Sequence, residues 1–241
     1  MDRLANGVEL LDGPLDDPVA LVANLRDLTW INRHLGGIAL SRRALDALLG
    51  DRRGALGLLD VGTGAADIPA ALQTAEARLG RKLQVTALDS RPEVVAAALA
   101  IAPGLATRAD FTFVVGDGRA LPGADASQDV VHASLVLHHL APDEALGLLR
   151  EMGRLASIGV VINDLSRGRL FWLGAWLLSH SLTRSRLTRN DASLSVRRAY
   201  TRAEMEGLLA RAGLRPVMTI EGFLGHRYAI AAVPIGAEHG G

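Results

Sequence analysis

The sequence predicts an α/β fold, a parallel sheet with helices on both faces. Three observations predict it. Short apolar runs alternate with helical patterns from residue 56 to residue 163. A glycine-rich turn follows the first of those runs. A polar or glycine-rich turn also closes the second and third, on the edge where open α/β sheets bind ligands.

Taken in order, residues 1–18 contain Gly7, Gly13, Pro14, Asp16, Asp17 and Pro18 and read as a loose lead-in. Leu21, Leu25, Leu28, Ile31 and Leu35 then recur at helical spacing. Gly36-Gly37 breaks that helix, and a second spans 41–49, so 1–50 is expected to form an N-terminal helical cap. LGLLDV (56–61) is the first strand, followed by a turn and a helix reaching about Leu79. LQVTALD (83–89) is the second, and Pro92 opens the next helix. Strands follow at 111–115, 129–135 and 158–163, with a helix over 142–155 between the last two. The rhythm stops across 165–199, where one apolar helix (LFWLGAWLLSHSL) precedes a basic, polar stretch. A helix over 201–212 ends at Gly213, and 214–220 and 227–233 read as closing strands. Residues 236–241 are expected to be a disordered tail.

Composition narrows the function. The chain has 26 basic and 26 acidic side chains in 241 residues, whereas a nucleic-acid binder needs a basic excess to neutralise phosphates. Cysteine is absent, which removes disulfides, zinc-thiolate sites and cysteine nucleophiles. No metal is expected. No apolar run reaches the ~18 to 20 residues that span a bilayer, and the N-terminus lacks a signal-peptide pattern. The expectation is a cytoplasmic monomer or homodimer acting on a small molecule.

The strongest motif is Asp60-Val61-Gly62-Thr63-Gly64-Ala65-Ala66-Asp67 at the first strand-to-helix turn. Glycines let the backbone approach a ligand, and a helix N-terminus offers free N–H donors. A dinucleotide fingerprint needs a third glycine where Asp67 stands, so that reading fails. Asp60 before the turn suits an amino-acid cofactor, either orienting the loop or holding an ammonium. Asp89, in Leu88-Asp89-Ser90, places a carboxylate where ribose hydroxyls can share its oxygens, and Gly116-Asp117-Gly118 offers a polar turn for an adenine. Each aspartate alone also reads as a solvated strand end.

Together DVGTGAAD, ALDS, VVGDGRALP and DVVHASLVLHHL resemble the class I S-adenosylmethionine-dependent methyltransferases, from about Leu56 to Leu165. The resemblance implies a Rossmann-like seven-stranded sheet of order 3-2-1-4-5-7-6 with the last strand antiparallel. The methyltransferase domain would then cover 51–235, with 165–199 as a lid or substrate insertion. It also implies S-adenosyl-L-methionine as cofactor. Asp60, Gly62, Thr63, Gly64, Ala65 and Asp67 would line its methionine end, and Asp89, Ser90 and Arg91 the ribose. Gly116, Asp117 and Gly118 would face the adenine, and the backbone at Ser134 and Leu135 the inner wall. Arg33 would clamp the cofactor carboxylate or simply cap a helix. Ala66 departs from the family's usual third glycine, and the expectation is slightly altered packing with binding kept.

In the family's strand order the fourth and fifth strands are parallel neighbours about 4.8 Å apart, so His138-His139 and Asn163-Asp164 end at one rim. An imidazole held by a carboxylate is a general-base arrangement for a hydroxyl acceptor. His138 is the candidate base, Asp164 its orienting partner, and His139 the alternative. His132, inside the strand, reads as a satisfied core histidine. Trp30, Asn32 and His34 of the cap, with Phe171, Trp172 and Trp176 of the insertion, are the candidate acceptor wall. The insertion helix otherwise reads as packing, or, with its flanking arginines, as a membrane-surface contact.

The expected reaction is O-methylation of a small, apolar, phenolic, quinol or polyketide-like hydroxyl. C-methylation of a quinone precursor and a non-catalytic binding module are the alternatives. A short-chain reductase is excluded, because its Tyr-x-x-x-Lys has no counterpart when the only lysine is Lys82 and position 78 is Arg78.

Overall fold

The inner strands read as unbroken apolar text because helices bury both of their faces. The computed structural model describes residues 1–4, 7–118, 120–121 and 123–236. In chain order it has α1 (Pro18–His34), α2 (Gly37–Leu49), β1 (Gly54–Val61), α3 (Asp67–Ala77), β2 (Arg81–Asp89) and α4 (Pro92–Ile101). Then come β3 (Phe111–Val115), β4 (Gln128–Ser134), α5 (Pro142–Leu155) and β5 (Ala156–Leu165). The chain closes with α6 (Arg169–Leu182), α7 (Arg186–Arg198), α8 (Arg202–Arg211), β6 (Leu214–Glu221) and β7 (Arg227–Pro234). The sheet order is β3-β2-β1-β4-β5-β7-β6, and β7 runs antiparallel to both of its neighbours.

Two cores flank the sheet. On one face α5 and α8 bury Leu149, Met152, Met205 and Leu209, and on the other α2 and α3 bury Leu45, Leu49 and Leu72. Full burial of a leucine stabilises by about 1.5 to 3 kcal/mol. A third, smaller cluster joins Leu21 and Leu25 of α1 to Ala65 and to Val94 and Ala97 of α4, which seats the cap over the glycine loop. Local signals agree with the elements. Asp17 accepts from the N–H groups of Val19 and Ala20 ahead of Pro18, and Thr201 with Glu204 forms a capping box on α8.

Two expectations are corrected. The basic stretch after the apolar helix is itself a helix, α7, capped by the Ser185 hydroxyl. The described residues among 1–17 are no loose lead-in but a strap tied to distant elements, described below. The expected tail lies, from residue 237 onward, outside the described residues.

Candidate active site

The first turn is built around backbone that few side chains tolerate. Gly62 and Gly64 lie at φ +67° and +54°, and a Cβ on Gly62 would stand 2.5 Å from Val136 Cγ2. Above Gly64 the space is open, since a Cβ there would meet only Leu25, at 3.9 Å. Ala66 is also left-handed, at φ +56°, as the N-cap of α3. The family glycine at this position therefore serves the backbone, and alanine carries a strain of roughly 1 to 2 kcal/mol rather than a mere change of packing.

Asp60 fixes this loop. Its Oδ2 accepts from the Thr63 hydroxyl at 2.6 Å and its Oδ1 from His132 Nδ1 at 2.5 Å. His132 is indeed a satisfied core histidine, because its Nε2 takes the Ser41 hydroxyl at 2.8 Å. Ser41 in turn accepts from Asn163 Nδ2 at 2.7 Å, and the second hydrogen of that amide goes to the Gly37 carbonyl at 2.8 Å. Asn163 Oδ1 accepts from Arg227 Nε at 2.6 Å. The Arg227 guanidinium continues to Asn32 Oδ1 at 2.9 Å and Ser134 Oγ at 2.8 Å, and Asn32 Nδ2 reaches the Asp67 carboxylate at 3.2 Å. One buried chain of hydrogen bonds thus runs from the first turn, through β4, β5 and β7, back to the start of α3. Arg227 is fully buried and touches no carboxylate directly, so desolvation lowers its pKa to about 10 despite Asp164 and Asp67 nearby. Gly37 must be glycine here, since a Cβ would stand 2.7 Å from both Arg227 Nη1 and Asn32 Oδ1.

The second and third turns meet the first. Asp89 Oδ2 accepts from the Gly64 N–H at 3.1 Å and its Oδ1 from the Arg91 N–H at 3.1 Å. Burial raises the Asp89 carboxyl above its ordinary range, with these two N–H bonds opposing. Gly116 donates its N–H to the Asp89 carbonyl at 2.9 Å, and a Cβ on Gly118 would stand 2.9 Å from Val61. Asp117 and Ser90 are exposed beside them. The Arg91 guanidinium binds the carbonyls of Leu11 and Gly13 at 2.9 and 2.7 Å, and so clamps the strap.

At the next rim position β4 and β5 pair in register, Ser134 opposite Asn163. Leu135 turns out of β4 at φ +57° and donates its N–H to the Asn163 carbonyl at 2.9 Å. The short 3-10 turn Leu137–His139 follows. His138 Nδ1 stands 2.6 Å from Asp164 Oδ1, and the His138 N–H donates to Asp164 Oδ2 at 3.1 Å. Burial by itself would raise the Asp164 carboxyl, but the charge and hydrogen bond of His138 hold it below its ordinary range. An ionised Asp164 keeps the proton on His138 Nδ1, leaving the lone pair of the neutral ring on Nε2.

The strap lies across this rim. Leu4 donates its N–H to the Arg197 carbonyl at 2.9 Å, and Arg3 reaches the Arg198 and Leu140 carbonyls at 2.6 and 2.7 Å. Leu10 and Leu11 donate their N–H groups to Asp191 at 2.8 and 3.0 Å. Glu9 Oε2 takes the Ser195 hydroxyl at 2.7 Å, while Asp12 sits 2.5 Å from Arg198 and 2.8 Å from His139 Nδ1. Glu9, His138 and His139 each bring one ligand-capable atom within 4.8 Å of the others. Positive charge is already present there, since Arg198 stands 3.4 Å from Glu9 Oε1.

The remaining expected residues are scattered. Asn32 is committed to Asp67 and Arg227. Trp30 is exposed and stacks on His34 with ring centroids 4.7 Å apart, and Arg33 is exposed. Phe171, Trp172 and Trp176 lie on α6, whose main neighbour is α7. Sequence reasoning missed Arg227, Ser41 and the strap residues Glu9 and Asp12. An arginine inside an otherwise apolar strand was the available signal for Arg227.

A seven-stranded sheet of this order, with a glycine loop and carboxylates at the ends of β1 and β2, defines a class I Rossmann-like methyltransferase fold. Residues 58–159 match the model of a methyltransferase domain. That segment is a methyltransferase domain, on a fold shared with S-adenosylmethionine-dependent methyltransferases. An S-adenosylmethionine-dependent methyltransferase from Aquifex aeolicus shares the fold at TM-score 0.61 and 20% identity, over 90% of this chain and 97% of that one. The mitomycin 7-O-methyltransferase gives 0.62 and 22%, over 95% of this chain and 62% of its own. Human N-acetylserotonin methyltransferase, solved with its cofactor, gives 0.64 and 17%, over 90% of this chain and 56% of its own. This chain thus spans little more than half the length of those last two enzymes. Among the described residues no helix is long and apolar enough to cross a membrane.

Proposed function

We propose that the protein methylates a hydroxyl of a small, apolar acceptor of phenol, quinol or polyketide type, forming a methyl ether. The observation that carries this reading is the buried His138–Asp164 pair at the joint end of β4 and β5. When bound, the cofactor supplies an electrophilic methyl group on a sulfonium. The open face above Gly64 and the buried Asp89 carboxylate fit its methionine end and its ribose. Each Asp89 oxygen, already holding one N–H, retains a lone pair for a ribose hydroxyl. Asp117 and Gly118 would hold the adenine, with Ser90 at the ribose edge and Arg33 at the cofactor carboxylate.

His138 takes the acceptor's proton on Nε2, and Asp164 holds the ring and steadies the imidazolium that forms. His139, tied to Asp12, is the less available of the two. His138 is only 2% exposed beneath the strap, so the strap must give way for an acceptor to reach it. Trp30, His34 and Phe171 are the candidate apolar contacts to the acceptor. Support also comes from one structural neighbour, the mitomycin 7-O-methyltransferase. The test is a screen of phenolic and quinol acceptors with methyl-labelled cofactor, read by mass spectrometry. A labelled methyl ether is expected. A label on carbon, or no product from any hydroxyl acceptor, would overturn the proposal.

A further inference from the structure

The apolar helix of the insertion packs on α7 but turns most of its apolar side chains outward. Of its 14 residues only Ser179 is buried. Leu170, Leu173 and Leu177, spaced to share one face, are 81, 44 and 51% exposed, and Trp176 beside them is 42% exposed. The tip joining β6 to β7 carries Phe223 and Leu224, which are 82 and 78% exposed. That tip lies beside the start of α6, because a Cβ on Gly225 would stand 3.7 Å from the Phe171 ring. Leu224 holds a left-handed backbone, φ +58°, where an apolar β-carbon is disfavoured.

The charge around this surface is of one sign. The chain as a whole is neutral, yet 165–190 contains five arginines and no acidic residue. Arg169, Arg184, Arg186 and Arg197 are exposed, and no ion pair engages them among the described residues. Arg169 and Arg197 flank an open groove of about 450 Å³ whose floor is Met1, Leu170, Trp172 and Leu173. A leucine stripe with tryptophans and arginines at its margins is the pattern of a helix lying in a membrane interface. At 14 residues it is about 21 Å long, too short to span and suited to lying flat. A second copy of the same surface is the poorer occupant, because a two-fold contact would set these arginines against one another.

We propose that α6, the Phe223-Leu224 tip and the surrounding arginines form a docking surface for an anionic lipid bilayer. The leucines and tryptophans enter the headgroup boundary while Arg169, Arg184, Arg186 and Arg197 meet lipid phosphates. This docking does not depend on which acceptor is methylated.

The test is vesicle co-sedimentation with phosphatidylcholine alone and with added phosphatidylglycerol, at low and high salt. Tryptophan emission is followed in parallel, since two of the three tryptophans lie on α6. Binding to the anionic vesicles is expected, with a blue-shifted emission and weakening in high salt. Arg169→Glu with Arg184→Glu should lower partition into anionic vesicles by about tenfold or more. Leu173→Glu should lower it comparably. Thermal unfolding and affinity for S-adenosylhomocysteine should match wild type in these variants, which separates lost docking from lost fold. Wild type that stays in the supernatant would overturn the proposal, as would binding indifferent to these substitutions. A dimer that Leu173→Glu dissociates would also overturn it, and would assign the surface to a second copy of the chain.

Discussion

The rim of β1, β4, β5 and β7 and the α6–α7 insertion stand at opposite extremes of one molecule. At the rim, polar side chains are buried and nearly every donor and acceptor is spent, from Asp60 through His132, Ser41, Asn163 and Arg227 to Asn32 and Asp67. In the insertion, large apolar side chains face outward, and Arg169, Arg184, Arg186 and Arg197 have no carboxylate partner among the described residues. Burial of unpaired polar groups and exposure of contiguous apolar ones are both costly, yet only the rim has resolved its cost within the chain. A closed network holds backbone in one geometry, which alignment of a methyl donor and acceptor requires. An unresolved surface implies something outside the chain.

The contrast can be broken at the rim first. Gly64→Asp fills the open face of the first turn with a carboxylate beside Asp89, and should abolish binding of S-adenosylhomocysteine by calorimetry while the fold persists. Retained affinity would remove this loop from the cofactor site. His138→Ala should lower kcat by about 10² to 10⁴ with cofactor affinity nearly kept. Asp164→Asn should act in the same direction by less, and the double variant should lose less than the two effects combined. A His138→Ala enzyme within about fivefold of wild type would leave alignment as the whole account.

Stability separates the regions more finely. Arg227→Met leaves Asn163 Oδ1, Asn32 Oδ1 and Ser134 Oγ without their donor. At about 1 to 3 kcal/mol for each buried group left unpaired, partly relieved by rearrangement, the loss should be on the order of 3 kcal/mol by chemical denaturation. Leu177→Gln on α6 should change stability by no more than about 0.5 kcal/mol. Equal losses at the two positions would erase the distinction between a closed and an open region.

The sheet was legible because its inner strands are buried on both faces, and the glycine loop because only glycine relieves φ values like those of Gly62 and Gly64. The convergence of His138 and Asp164 was legible through strand order. Ala66 concealed its left-handed backbone, since nothing in an alanine announces φ +56°. Helix α7 was missed because its apolar positions are few, Leu187, Leu194 and Val196 among polar residues. The strap was missed for a different reason. Its Gly, Pro and Asp content reads as loop, and the groups that order it lie far along the chain, Arg91 about 80 positions away and Arg197, Arg198 and Asp191 more than 170. Local pattern carries no information about such partners.

Those separations bear on how the chain assembles. The strap leaves the ribosome well before its anchors on α7. While β1 to β5 take shape, the strap has only its contacts to Arg91, His139 and the Leu140 carbonyl, and its closure onto α7 joins ends nearly a chain length apart. A nascent chain would therefore hold an assembled glycine loop with the cover over His138 incompletely anchored until α7 emerges.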